Sequence, residues 1–298
     1  MEKKNLVNLI AIVTFLVLIS IAINNLIINL IRTDVGINFN WLIRPSGFTF
    51  GESVLQYKSS DTYLWALTVG WLNTLKIVIY GLFLSTLFGA SAAVARLGSN
   101  KLVSDLASIY VAIIRQTPLL LQLLFWYFVV FLSFPEKPVE IFNSLIIFSN
   151  KSISILGINL SAEFSALLIG LSLFTGSSIS EVIRGGLNSV NKGQIEAYRS
   201  LGLKERHGMK LIIIPQALTS IIPGLTSQYL NLAKNSTLAI AIGYPDIYAI
   251  SDTTITQTGR AIEGFIIILV SFLALNLIIN TIMNRINNAC LKLNQSKL

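Results

Sequence analysis

Six stretches of this chain are apolar over the length a helix needs to cross a bilayer core of about 30 Å, which is roughly 20 residues. They run from about Leu6 to Ile31, Leu64 to Ala95, Ile109 to Ser133, Phe164 to Ser180, Leu211 to Ile242 and Ile262 to Met283. Hydrocarbon offers the backbone no hydrogen-bond partner, so such segments must satisfy their N–H and C=O groups internally, as helices do. The composition agrees. Of 298 residues, 53% are hydrophobic and 12% charged, and the mean hydropathy is +0.71; soluble domains carry about 25% charged residues. The expectation is an all-α integral membrane protein with about six transmembrane helices, in contact with the lipid bilayer.

The charges orient it. Lys3 and Lys4 lie at the N-terminus. Arg96 and Lys101 lie between the second and third stretches, with Arg115 further on. Arg184, Lys192, Arg199, Lys204, Arg206 and Lys210 lie between the fourth and fifth, and Arg285, Lys292 and Lys297 in the tail. The other loops mix signs. Basic loops face the cytoplasm, so six spans place both termini inside. The net charge of +8 follows from this bias and does not imply a nucleic-acid partner. The first apolar stretch is too long for a signal-peptide core and lacks a cleavage site; it reads as a retained anchor. The expected organisation is an anchor span over 1–35, an outer loop over 36–63, a transmembrane domain over 64–290 with a cytoplasmic loop at 184–210, and a cytoplasmic tail over 291–298. The single cysteine, Cys290, excludes an internal disulfide.

The loop between the fourth and fifth stretches is a charged island in apolar surroundings. Asn191 begins it as a helix cap, with Gln194 three residues on as in a capping box. Ile195, Tyr198 and Leu201 recur on one face, and Gly202 suits the left-handed turn that ends a helix. A second short amphipathic run, Lys204–Met209, leads to Pro215 near the start of the next span. Glu196, Ala197, Tyr198, Gly202 and Pro215 are its marked positions.

Polar residues inside the apolar stretches need a partner, a cavity or a route to the surface. Lys76 fits snorkelling or packing. The fifth stretch is broken by Pro215, Pro223 and Gly224 and carries Gln228, Lys234, Asn235, Ser236 and Thr237. A cation beside hydroxyl and amide donors suits a carboxylate ligand, and equally a helix or subunit contact. Arg115 and Thr117 flank Pro118, which kinks the third span. Glu163, Asp246, Asp252 and Glu263 are expected at solvated surface. There is no P-loop sequence; the one histidine, His207, allows no His-based metal site or triad; and no nucleophile–base pair is evident. Catalytic and metal-binding residues are therefore expected to be none.

The spacing Glu196-Ala197-x₄-Gly202, followed by Ile212-Ile213-Ile214-Pro215, resembles the EAA motif of ABC importer permeases. Tyr198 stands where that motif usually has Ala, and Ile214 where it usually has Leu. The run from Arg115-Gln116-Thr117-Pro118-Leu119 to Phe128 is similar to the signature of polar amino-acid permeases. Thr226–Leu238, Gly243-Tyr244-Pro245-Asp246, Gln257–Glu263, Phe39–Gly51 and Val69–Thr74 are similar to the branch of general L-amino-acid (Q-type) permeases. The resemblance covers about 38–288. The segment Phe134–Glu163 is shorter than that branch implies.

The resemblance implies a type I importer core of five spans behind the anchor, and L-amino-acid translocation across a bacterial inner membrane by alternating access. Its implied partners are an ABC ATPase dimer, which would bind ATP and magnesium in place of any cofactor here, a sister permease and a periplasmic amino-acid-binding protein. Glu196, Ala197, Tyr198, Gly202 and Pro215 would then couple to the ATPase, with the bulk of Tyr198 altering which ATPase fits. The substrate-path candidates are Arg115, Thr117, Pro118, Gln228, Lys234, Asn235, Ser236 and Thr237. A permease for an opine or a single amino acid is the alternative within that class. A self-sufficient secondary transporter calls for an inverted repeat and intramembrane acids, and neither is evident.

Overall fold

A computed structural model describes residues 2–32, 36–141 and 145–295. The end of the anchor segment at 33–35 and the tail residues 296–298, with Lys297, lie outside the described residues, as do the side chains of Lys3 and Lys4. The chain divides into two compact units, Met1–Leu42 and Ile43–Leu298. The first holds helix α1, Glu2–Arg32, whose apolar side chains from Leu6 to Phe15 are exposed.

The second unit is built from α2 (Tyr63–Leu97), α3 (Lys101–Gln116), α4 (Leu119–Leu124, continued as a π-helix through Phe131), α5 (Ala162–Asn188), the short α6 (Lys192–Ser200) and α7 (Glu205–Gly208), α8 (Ile214–Asn235), α9 (Ile247–Thr258) and α10 (Ala261–Gln295). A π-turn joins α7 to α8, and a 3-10 turn, Ser236–Ile242, follows α8. Among the described residues, five helical segments are long and apolar enough to cross a membrane: Leu6–Asn29, Tyr63–Leu97, Ala162–Asn188, Glu205–Ile242 and Ala261–Lys292. The third expected span, about Ile109 to Ser133, is not one kinked helix. It is α3 and α4 with its extension, bent by 106° at the break, and counts as a sixth crossing only if the two limbs are taken together.

Local chemistry explains that break. Pro118 has no N–H, and the residue before a proline is pushed out of the helical region; Thr117 is extended at φ −93°, ψ 130°. The carbonyls freed by the break cannot turn to water in hydrocarbon. The Gln122 side-chain amide reaches back to them, donating to Ile114 O at 2.8 Å and Thr117 O at 2.9 Å.

The core forms where α2 and α5 cross. Lipid supplies no hydrophobic drive between helices, so small residues that let backbones approach take its place. On α2, Gly89 faces α5 while Gly70 and Gly81 receive Ile250 of α9 and Leu232 of α8; on α5, Gly176 faces α2 while Gly170 receives Leu123 of α4. A Cβ on Gly89 would lie 2.5 Å from Ile179 Cγ2 and 2.8 Å from the Gly176 carbonyl oxygen, and one on Gly176 would lie 3.1 Å from Ser85 O. Helix α8 joins the same way, with Gly224 against Val182 and Gly186 against Ile221.

The segment expected as a plain loop at Phe134–Glu163 contains a four-stranded antiparallel meander: β1 Val139–Ile141, β2 Ile146–Phe148, β3 Ser152–Ile155 and β4 Ile158–Ser161, in that order. Ile155 faces Ile158 across a two-residue turn. Both turn residues, Leu156 (φ 52°) and Gly157 (φ 81°), are left-handed, as the tight hairpin turn requires. The alternation Ser152-Ile153-Ser154-Ile155 carries this signal.

Filling the α2–α5 seam should unsettle the whole bundle. Gly89→Leu is expected to cost about 1–3 kcal/mol of stability by overpacking. The check is the melting temperature of the purified protein in detergent; an unchanged value would contradict the close approach.

Candidate functional site

The loop between α5 and α8 is organised from its own sequence. The Asn191 side chain caps α6, accepting from Gly193 N at 2.8 Å. Gln194 does not complete a capping box; its amide oxygen instead accepts from the Gln216 side chain on α8 at 3.4 Å. Gly202 ends the helix at φ +71°, with its N–H donating to Arg199 O and that of Leu203 to Tyr198 O.

Tyr198 is turned inward, 1% exposed. Its ring covers Gly208, where any Cβ would collide with it. Its hydroxyl donates to Glu205 Oε2 at 2.5 Å, and Arg199 Nε donates to Glu205 Oε1 at 2.7 Å. The bond to the Glu205 carboxylate raises the Tyr198 phenol above its ordinary range and the Arg199 guanidinium likewise. The helical pair α6–α7 is thus stapled together by Tyr198, Arg199 and Glu205, a set that sequence spacing alone did not bring together.

Glu196, Ala197 and Leu201, the last 76% exposed, lie open to solvent together with Lys192, Arg199, Lys204, Arg206 and His207. Ile195, Tyr198 and Leu201 recur every three residues, but of the three only Tyr198 is buried; Ile195 is half-buried and Leu201, at the end of α6, is exposed. Tyr198 therefore shapes this surface from beneath. Pro215 falls in the first turn of α8, where its missing N–H costs nothing. A cavity of about 660 Å³ lies between the end of α5 and the starts of α6 and α8, lined among others by Ser189, Asn191, Gln194, Ile212, Pro215 and Gln216.

The substrate-path candidates separate into two places. Arg115, Thr117 and Pro118 sit at the α3–α4 break. There Arg115 Nη1 lies 3.8 Å from Glu181 Oε1 on α5. The others lie on α8 and just beyond it. Lys234 is exposed, and so are Ser220, Pro223, Ser227 and Asn231, which recur at helical spacing down one side of α8. Gln228 and Asn235 are half-buried. Ser236 is turned into the core, its hydroxyl donating to Ala233 O at 2.8 Å, and Thr237 donates to Lys234 O at 2.8 Å. The polar residues of this segment do not converge on one point; α8 instead presents a polar stripe at the depth of an apolar span.

Two other charged sets tie the unit together. Lys76 of α2 pairs with Glu52 of the outer loop and sits 4.2 Å above the Phe164 ring centroid; Glu52 also accepts from Ser161, the cap of α5. Lys76 is therefore neutralised by a carboxylate the loop folds down to it, in addition to packing. Glu181, absent from every sequence motif considered, accepts from Arg96 of α2 at 2.8 Å and from Arg184 at 2.8 and 3.0 Å.

Two acids expected at solvated surface are fully buried. Asp246 is a helix cap: its Oδ1 accepts from Ala249 N at 2.8 Å at the start of α9, and loss of solvent pushes its carboxyl up to about 7. Glu263 is paired with Arg260 at 3.2 Å. Both serve local structure, so burial follows from the capping and ion-pair geometry rather than from the sign of the loop. Asp252 is exposed and Glu163 half-buried beside Tyr127. Among the described residues, no group of His, Cys, Asp and Glu could hold a metal ion.

Three comparisons bear on this arrangement. Residues 85–290 match the family of binding-protein-dependent transport system inner membrane components. The chain is 32% identical to the general L-amino acid transport system permease protein AapQ of Rhizobium johnstonii, over 89% of this chain and 86% of that one. It is 31% identical to the putative amino-acid ABC transporter permease protein YhdX of Escherichia coli, over 95% and 92%. The aligned length with AapQ, 344 residues, exceeds the 298 of this chain, so AapQ has residues without counterparts here. A solved structure described as an amino acid ABC transporter with histidines superposes with a TM-score of 0.62 at 28% identity, covering 76% of this chain and 95% of that one.

Because Gly202 has open space around its missing Cβ, a substitution there costs only backbone strain. Gly202→Val should cost about 1–2 kcal/mol and open the α6–α7 pair, while Gly202→Asn, which tolerates the left-handed region, should be milder. Limited proteolysis between 192 and 208 reads this directly; equal cleavage in both variants and the wild type would contradict it.

Proposed function

From the premise that the chain belongs to the family of binding-protein-dependent transport system inner membrane components, we propose that it is the permease subunit of an ABC importer carrying L-amino acids across a bacterial inner membrane. The observation that carries the reading is the stapled α6–α7 loop between two spans, which holds Glu196, Ala197 and Leu201 outward in one fixed shape. A rigid, exposed charged-and-apolar surface suits docking, because little ordering entropy remains to be lost on binding. The amino-acid cargo is supported by the names of AapQ and YhdX.

In this reading a separate ATPase dimer binds ATP and magnesium, and this chain performs no chemistry. The ATPase receives the α6–α7 surface in a groove; Glu196 and Leu201 touch it, Ala197 permits close approach, and Gly202, Tyr198 and Pro215 hold the shape. Movement of the loop displaces α5 and α8, which alternates access to the pathway. A sister permease pairs with this chain, and the polar stripe of α8 lines the conduit between them. Polar helix faces at membrane depth belong against protein or water, which supports that placement. Lys234 offers a cation to the carboxylate of a passing amino acid, while Gln228 and Asn235 offer amide donors at other points of the path; Arg115, Thr117 and Pro118 set its course at the α3–α4 break. A periplasmic binding protein delivers the cargo at the opposite face. Both termini lie in the cytoplasm, on the side of the basic loops.

Glu196→Lys tests docking. Like charges set against each other at an interface cost several kcal/mol, so ATP-driven amino-acid uptake in proteoliposomes should fall at least about tenfold while the amount of inserted chain is unchanged; full uptake would refute the docking role. Lys234→Ala should cut uptake several-fold with the ATPase still co-purifying. Normal uptake from that variant would remove Lys234 from the path.

A further inference from the structure

Glu181 gathers guanidinium groups from three helices onto one carboxylate. Its Oε1 accepts from Arg96 at the end of α2 and lies 3.8 Å from Arg115 at the end of α3; its Oε2 accepts twice from Arg184 on α5 itself. Arg96 also donates to Ser108 of α3 at 3.2 Å. Arg96 and Glu181 are largely covered, with side chains 14% and 22% exposed. Charge-assisted bonds of this kind are roughly twice as strong as neutral ones, and a low-dielectric surrounding strengthens them further.

The position of this carboxylate in the chain gives the cluster its meaning. Glu181 lies two turns before α5 ends at Asn188, and α6 begins at Lys192 after three intervening residues. The loop is therefore continuous with α5 on one side and with α8 on the other. Helices α2 and α3 have no such short route to it. Above the cluster α2 meets α5 at the small-residue seam of Gly89 and Gly176, and α3 meets it through the Tyr110 hydroxyl, which donates to Leu173 O at 2.9 Å; helices packed through small side chains can shear past one another by small sliding movements. At these helix ends the Glu181 cluster is the charged tie, a pin that resists such shear.

We infer that Glu181 is a positioning residue that makes the inner ends of α2 and α3 move together with α5, so that displacement of the α6–α7 loop reaches the half of the bundle with no direct connection to it. The inference rests on the importer reading above and adds the residue through which the drive spreads.

The test uses the assembled importer in proteoliposomes with Glu181→Gln, which keeps the size and removes the charge, and Glu181→Asp, which keeps the charge. Energetic couplings between sites typically correspond to factors of about 5 to 150. Glu181→Gln should lower the stimulation of ATP hydrolysis by substrate-loaded binding protein, and uptake with it, within that range, while basal hydrolysis and assembly persist; Glu181→Asp should restore much of both. In parallel, spin labels at the exposed Ser99→Cys and Asn188→Cys, in a Cys290→Ser background, should give one narrow distance that is the same with and without ATP. A wild-type label distance that changes with ATP overturns the pin, and so does full stimulation in Glu181→Gln. Should that variant fail to assemble, the wild-type distance alone decides. Wild-type uptake with a failed pin leaves the importer reading standing, whereas no ATP-driven uptake in the wild type overturns both.

Discussion

The backbones of α2 and α5 touch where Gly89 meets Gly176, and the rest of the bundle is arranged around that contact. In lipid the exposed face of a helix is as well solvated as a buried one, so apolar residues alone specify no partner. Glycine, alanine and serine do, because only they let two helices come close enough for backbone-to-backbone dispersion. Once α2 and α5 are set, Gly224 and Gly186 bring α8 against α5 by the same means, and α8 then places the charged loop that precedes it.

At several points along the spans a charge or a stranded carbonyl is answered by a partner nearby. Gln122 answers the carbonyls that Pro118 strands. Glu52 answers Lys76 from the outer loop, and Asn73 of α2 holds that loop by donating to Glu52 O and Pro245 O. Glu181 answers Arg96 and Arg184. Lys234 is different: it is exposed on α8, on the same side as Ser220, Ser227 and Asn231.

Much of the helical plan was legible in the sequence because a span is a local property: length and hydropathy place the starts of α2, α5 and α10 within two residues, whereas α5 and α10 run on past the expected ends at Ser180 and Met283 to Asn188 and Gln295, since polar residues continue a helix once it leaves the apolar stretch. The short helix α6 was legible too, since Asn191 and Gly202 are local end signals that the structure uses as expected. What could not be read depended on partners distant in sequence. Glu181 looks ordinary until Arg96, 85 residues away, is beside it. Tyr198 looked like a surface position until Gly208 made room for its ring. Asp246 and Glu263 were placed at the surface by charge alone, although both end up buried. The meander at 139–161 had a readable alternation, but its strands are only three or four residues long, too short to stand out beside the spans.

The most direct measurement is uptake of a panel of radiolabelled L-amino acids into proteoliposomes holding this chain, its sister permease and the ATPase, with binding protein outside and ATP inside. Uptake of several amino acids that requires ATP and vanishes without the ATPase is the predicted result. Uptake driven by an ion gradient with the ATPase absent would contradict the account, because the stapled loop would then have nothing to receive.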